Sequence, residues 1–456
     1  GWVEQAPADW WTGACRVIGA TLRAGGAAAG RVVAVVCCGQ MHAPVLIGAD
    51  GAPVRDHVPL WNDKRGAAIA RILNARAGSD GLPPAVNPAT TASPGVKLAW
   101  MAAHDPGALD TARALLMPKD YLNFRLTGAV AMDWTEAGNS FLSDPGGGCW
   151  SSEAAAAMGV PAELLPPILR GEDQVGRVTA AAAEATGLCP GTPVFVGVGD
   201  YPAAVLGAGA TEPGQIADIT GTSFLLTRMV QSPIHHPEVM NIAAATVGWG
   251  AFAVVDAAGD AIRWASRALD DDRQDYPAQS ALAGTAPPGA GGIVFLPYLT
   301  GERLGQGPGS RGAFLGLTAR HDPAHLHRAV MEGVVLAMQE AFAPIAGTAG
   351  AATDRIVAAA GGARSDLWLQ IKADVFNLPV VATAEVEAGL VGSAALGLAG
   401  LGHHASAAGA ATTLVRHRPA ILPDPNRHAL YAELAARYAA IRRHTAAINA
   451  ILGQDA

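Results

Sequence analysis

Residues 192–200 read Thr-Pro-Val-Phe-Val-Gly-Val-Gly-Asp, an apolar run without helical spacing that stops at Gly199-Asp200. A short continuous apolar run of this kind predicts a strand buried on both faces, here Thr192 to Val198. The small-residue stretch Ala203 to Gly209 that follows is helical in character, so the unit is strand, turn, helix. A carboxylate at the carboxyl end of a buried parallel strand points into the crevice where α/β proteins bind ligands. Asp200 is therefore the first candidate for chemistry, with a helix cap, a role Asp often takes, as its structural alternative.

The same logic recurs on either side. Upstream, Arg31 to Cys38 is a second β-branched run, predicted as a strand buried on both faces, which places Gln40, Met41 and His42 at its carboxyl end. Val45 to Ile47 stops at the turn Ala49-Asp50-Gly51, and Pro53 to Leu60 leads to Trp61-Asn62-Asp63 and a helix from Lys64 to Ala77. Helices are predicted over Val96 to His104, Ala108 to Leu116, and Lys119 to Leu126 with Gly128 as C-cap, then a loop at residues 144–148. Downstream, the turn Pro213-Gly214 marks a domain boundary, dividing residues 1–212 from 213–456. A hairpin follows, Ile216 to Ile219 and Phe224 to Thr227, with Gly221-Thr222-Ser223 at its tip. Then come a strand to Pro297, a Gly-rich loop from Thr300 to Gly312 and an apolar helix from His325 to Ala343. Strand Arg355 to Ala359 meets Gly361-Gly362-Ala363 and a helix from Ser365 to Val375. Two similarly built α/β domains are expected, although no residue-level repeat is visible.

Composition narrows the function. The 456 residues carry 31 Lys+Arg against 39 Asp+Glu, and no basic run could track a nucleic-acid backbone. Gly, Pro or charge breaks each apolar stretch short of membrane-spanning length, no signal-peptide pattern opens the chain, and a cytoplasmic protein is expected. The five scattered cysteines form no CxxC and no metal-ligand spacing, which suits a reducing compartment.

Several turns have the chemistry of ligand contacts. Gly221-Thr222-Ser223 offers consecutive backbone N–H groups and two hydroxyls, a shape that can cradle phosphate without lysine, or else is an ordinary hairpin turn. Gly361-Gly362 lets backbone approach a flat or anionic ligand beside a helix N-terminus. Neither GxxxxGK[ST] nor GxGxxG with a distant acid is present, so P-loop and Rossmann sites are unsupported. Gln40-Met41-His42 and Trp61-Asn62-Asp63 mix amide, imidazole, indole and carboxylate, as polyol recognition requires, with core packing as the plainer reading of each. Glu302-Arg303 reads as a salt-bridged hinge, a ligand contact or a solvated pair.

In order along the chain, these segments resemble the FGGY carbohydrate kinases of the actin and hexokinase superfamily, most like the xylulokinase branch. The likeness runs from Gly1 to about Gly402. It is carried by Gly1 to Gln5, Asp9-Trp10-Trp11, Gly39 to His42, Trp61 to Asp63 with Arg65, LMPKDYLNFRLTG over 116–128, and Gly199-Asp200. Gly221 to Ser223, LPYLTGER over 296–303, RAVMEG over 328–333 and GGARSDLWLQIKAD over 361–374 complete it. The resemblance implies two actin/hexokinase-like (ribonuclease H-like) α/β domains with a ligand cleft between them, closing before transfer. It implies ATP and Mg²⁺ as cofactors and a small sugar or polyol as substrate, D-xylulose first, with another pentulose, an erythritol-like polyol or a non-catalytic pseudokinase as alternatives. By likeness Asp200 is the general base; Gln40, Met41, His42, Trp61 and Asp63 lie on the sugar side; Gly221, Thr222 and Ser223 form a phosphate hairpin; Gly361, Gly362 and Ala363 form the adenosine turn. Tyr201 stands where xylulokinases usually have Asn, and Leu304-Gly305 where the family usually reads Thr-Pro. The family opens with an Asp-x-Gly-Thr phosphate loop, and this sequence starts just after its expected end, so missing leading residues are expected. The Ala-rich C-terminal helix after Pro425 is expected to pack on its own lobe or on a second subunit in a homodimer.

Overall fold

The structure, a computed structural model, describes residues 2–26, 29–76, 86–144, 148–270, 275–304, 307, 309–348 and 353–452. Pro145 to Gly147 of the expected loop, and Gly305, lie outside them. The chain forms two compact units: Gly1–Gly207 with Asn241–Trp249 and Gly389–Leu414, and Ala208–Met240 with Gly250–Ala388 and Val415–Ala456.

The first unit is built on β1 (Val35–Gly39), helix α1 (Trp134–Gly138), β2 (Gln174–Arg177), β3 (Pro193–Gly199) and helix α2 (Asp200–Gly207). The strands lie in the order β1-β3-β2, with β1 parallel and β2 antiparallel to β3. The central strand is buried from Val194 to Gly199, as its unbroken apolar run requires. β1 differs from expectation: all five residues are only half-buried, and among the described residues it pairs with β3 alone. The helix expected over Ala108 to Leu116 also divides. Pro106–Thr111 is helical, but Ala112–Leu116 is a strand antiparallel to Val45–Gly48. Strand pairing and burial of Leu115 and Leu116 override the local helical preference there.

The second unit contains β4 (Ile216–Thr220), β5 (Phe224–Val230), β6 (Trp249–Val255), α3 (Gly259–Leu269), α4 (Pro323–Ala346), β7 (Ile356–Ala359), α5 (Asp366–Phe376), β8 (Val380–Ala382) and α6 (Pro425–Leu452). Five strands of a six-stranded sheet run β6-β5-β4-β7-β8, antiparallel between β4 and β5 and parallel across β4, β7 and β8, with Met240–Ala243 beside β6 at the edge. A hairpin strand pair joined to parallel strands on the other side is the ribonuclease H-like arrangement. The protein is an α/β fold of the actin/hexokinase type.

Helix α4 is long and apolar enough, by composition alone, to cross a membrane, contrary to the sequence expectation. It is instead a core helix: Val330, Val334 and Met338 are buried, and so is the Arg328–Glu332 pair, with Nε to Oε1 at 2.7 Å. Glu332 also accepts from the Tyr431 hydroxyl at 2.7 Å. With Leu434 and Tyr438, Tyr431 packs the C-terminal helix α6 on its own unit.

Candidate active site

In the first unit, Gly39 of β1 lies opposite Gly199 of β3, so Gln40-Met41-His42 leave one strand at the level where Asp200 leaves the other. A Cβ on Gly199 would lie 2.5 Å from the Met41 Sδ. Only glycine lets the buried thioether rest on the strand end. Asp200 opens α2, and its Oδ1 accepts a hydrogen bond from the Tyr201 amide at 2.7 Å. Oδ2 makes no hydrogen bond among the described residues. One carboxylate oxygen is therefore engaged at the helix start, and the other makes no hydrogen bond to another described residue. Asp200 retains solvent access but is walled by protein, and desolvation pushes its pKa up to about 6 against the lowering effect of the Tyr201 amide.

A buried polar layer lies beneath these strand ends. His42 has φ of +71°, unusual for a side chain other than glycine. Its amide donates to Glu136 Oε2 at 3.3 Å and its carbonyl accepts from Lys97 Nζ at 2.9 Å. Glu136 is fully buried, its Oε1 has no hydrogen-bond partner among the described residues, and burial with the nearby Asp133 and Asp120 carboxylates raises its pKa well above the ordinary range. Burial lowers the Lys97 pKa to about 7, opposed by the Asp63 and Glu136 charges. Asp133 caps α1 by accepting from the amides of Thr135 and Glu136, and the Thr135 hydroxyl accepts from the Gly199 amide at 3.2 Å. Lys119, wholly buried, bridges Asp120 and Asp133. The layer thus connects the backbone at His42 to the backbone just before Asp200.

The remaining sugar-side candidates divide. Trp61 is 42% exposed, and the neighbouring Asn62 has a buried Oδ1 without a partner among the described residues. Gln40 Nε2 donates to Gln5 Oε1 at 2.8 Å. Asp63 is buried and saturated: Oδ1 accepts from Arg65 N and Nε at 2.9 Å, and Oδ2 from Val3 N at 2.6 Å and Arg65 NH2 at 2.8 Å. Its carboxylate holds Arg65 and the N-terminal strand, leaving no oxygen for a ligand.

In the second unit, the amides of Ala258, Gly259 and Asp260 donate to the carbonyls of Thr222, Gly221 and Thr222 at 3.0, 3.1 and 3.2 Å, and Ser223 Oγ donates to the Asp256 carbonyl at 2.9 Å. The hairpin tip is therefore fixed from behind, while the amides of Thr222 and Ser223 donate to no protein group among the described residues. Side-chain space at Gly221 is open, since a Cβ there would meet nothing within 4 Å, and the same holds at Gly361. Gly362 is different: a Cβ there would lie 2.6 Å from the Thr220 Cβ, so the Gly361-Gly362-Ala363 turn packs directly on the hairpin. Below this contact the buried Lys372 Nζ donates to Asp218 Oδ2 at 2.6 Å and Thr220 Oγ1 at 3.0 Å, joining α5 to β4. Two unspent amides, the Thr222 hydroxyl and an adjoining Gly-rich turn suit a polyphosphate with a flat base attached.

Glu136, Lys97 and Lys372 were not singled out from sequence. Only Glu136 left a signal, since Asp133-x-x-Glu136 has the spacing of a helix-start capping box. Glu302 and Arg303 form pairs: Arg303 NH2 meets Asp256 Oδ1 at 2.8 Å, and Glu302 Oε1 meets Arg442 NH2 at 2.7 Å.

Residues 1–207 match the N-terminal domain, and residues 217–401 the C-terminal domain, of the FGGY family of carbohydrate kinases. The xylulose kinase of Bacillus subtilis is 28% identical over 465 residues, covering 99% of this chain and 91% of the relative. That of Klebsiella pneumoniae is 31% identical over 388 residues, covering 83% of this chain and 77% of the relative. The crystal structure of xylulose kinase from Rhodospirillum rubrum superposes with a TM-score of 0.87 at 29% identity, covering 98% of this chain and 91% of that one.

Proposed function

This chain belongs to the FGGY family of carbohydrate kinases, and we propose that it phosphorylates D-xylulose to D-xylulose 5-phosphate in the cytoplasm, with Asp200 as general base. The observation that carries the assignment of the base is the Asp200 carboxylate itself. It stands at the end of β3, where the chain leaves β1 at Gln40, has one oxygen without a hydrogen bond among the described residues, and is pushed by burial up to about 6. A base of that pKa is mostly ionised at neutral pH yet basic enough to take a hydroxyl proton as the phosphoryl group arrives. The names of the relatives support the choice of xylulose.

The sugar is held against Met41, His42 and the Trp61 indole, and Gln40 and the Asn62 amide supply polar contacts. Asp63 acts at one remove by fixing Arg65 and the chain before residue 5. Tyr201 stands next to the base and bears on which hydroxyl is presented. The residues at the second unit's hairpin and turn fit ATP: the Thr222 and Ser223 amides and the Thr222 hydroxyl for phosphate oxygens, and Gly361, Gly362 and Ala363 for the adenosine. Bound ATP, as its Mg²⁺ complex, supplies the phosphoryl group and neutralises its charge.

A coupled ADP-release assay over ketoses and polyols tests the proposal. D-xylulose should give the highest kcat/KM, and Asp200→Asn should lower the sugar-dependent signal by about 10²- to 10⁴-fold. A different preferred pentulose or polyol would move the substrate within the class. If no sugar raises turnover above water-driven hydrolysis, the catalytic reading fails.

A further inference from the structure

The hairpin tip at Gly221-Thr222-Ser223 has no charge of its own, yet its ligand in the reading above is a polyanion. A cation is supplied from 41 residues further along, where Arg263 NH2 donates to the Thr222 hydroxyl at 3.1 Å. The guanidinium is held on its other side by Asp260, which accepts from Arg263 Nε at 3.0 Å and from NH2. Asp260 belongs to the same helix start whose amides fix the hairpin carbonyls. One short segment, residues 258–263, thus sets both the hairpin backbone and the position of the charge. The tethers use Nε and NH2, and NH1 makes no hydrogen bond among the described residues. The side chain is 34% exposed, so it is neither a core group nor a free surface arginine.

We propose that Arg263 is a direct phosphate ligand of the bound nucleoside triphosphate, its NH1 edge acting beside the Thr222 and Ser223 amides. The inference rests on reading that hairpin as the phosphate cradle. A planar guanidinium held along one edge presents its remaining N–H groups in a fixed direction, which suits phosphate oxygens. The loss of such a charge-assisted contact weakens phosphate binding by about 10- to 100-fold.

Calorimetric titration of ADP and of adenosine into the full chain tests this, with Arg263→Gln, Arg263→Lys and Gly221→Leu as variants. Gly221→Leu places a side chain at the tip, where a Cβ meets nothing within 4 Å, and circular dichroism of the variant checks that the fold persists. The expected result is that Arg263→Gln weakens ADP by about 10- to 100-fold, that adenosine changes less than about twofold, that Arg263→Lys recovers part of the loss, and that Gly221→Leu removes ADP binding. Unchanged ADP affinity in Arg263→Gln together with loss in Gly221→Leu would sink the role of Arg263 and leave the hairpin reading standing. Unchanged ADP affinity in both would remove the hairpin reading as well. Equal weakening of ADP and adenosine in Arg263→Gln would mark a structural effect and also overturn the inference.

Discussion

A carboxylate that titrates near pH 6 loses its use as a base inside the range where a kinase is readily assayed. Asp200 must be ionised to take the sugar proton, so activity is present above its pKa and falls as pH drops through it. With the pKa at about 6, the ionised fraction is about nine-tenths at pH 7 and about one-tenth at pH 5. Sugar-dependent kcat/KM should therefore drop about tenfold over that interval, with a limiting slope of one. An Asp at its ordinary value would lose only about 6%. The assay is initial-rate ADP release at saturating MgATP and limiting sugar, with near-UV circular dichroism to confirm that the fold persists at pH 5. Lys97, with its pKa lowered to about 7, and the nucleotide's own terminal phosphate titrate in the same window. Asp200→Asn separates them. It should cost about 10²- to 10⁴-fold in kcat, leave the sugar KM nearly unchanged, and make the residual rate flat between pH 5 and 7. A wild-type profile flat to pH 5, or a slope that survives in Asp200→Asn, would refute the assignment of the base.

Lys372→Met strands the buried Asp218 carboxylate and should destabilise the protein to urea by about 3–5 kcal/mol, while adding Asp218→Leu should recover most of that loss. Gly362→Ala drives a methyl into Thr220 and should cost about 1–3 kcal/mol. Gly361→Leu, facing open space, should leave the melting temperature within about 2 °C yet raise the ATP KM at least about tenfold if adenosine lies against that turn. Glu136→Gln keeps an oxygen for the His42 amide and should be tolerated within about 1 kcal/mol, whereas Glu136→Leu removes that acceptor and should cost about 1–3 kcal/mol; chemical denaturation at pH 7 measures both.

Features set by local pattern were legible in the sequence. The strand ending at Gly199, the hairpin after Pro213-Gly214 and the helix closed by Gly128, with its φ of +77°, all follow from apolar runs and turn residues. The segment 112–116 was not legible, because its preference for strand comes from Val45–Gly48, far away in sequence. The polar layer was hidden for the same reason. Glu136 meets His42 across 94 residues, Lys97 meets His42 across 55, and Lys372 meets Asp218 across 154. Periodicity marks such positions as helix interior and nothing more. Asp63 shows the converse: a charged residue beside Trp61 reads as a ligand contact, and only the geometry of Arg65 and Val3 shows which groups its oxygens accept from.

The contact between Met41 and Gly199 carries a consequence for how substrate preference can change. The thioether that shapes the proposed sugar wall rests on the residue that delivers the proposed base. A larger or differently branched residue at 41 pushes on the end of β3, and any side chain at 199 displaces Met41. Selection or engineering at either position therefore alters fit and proton transfer together, so a gain on a new sugar made there is offset by a loss of rate on every sugar. Variation in substrate choice among close relatives should therefore accumulate at other positions of the proposed sugar wall while the 41 and 199 pair stays fixed.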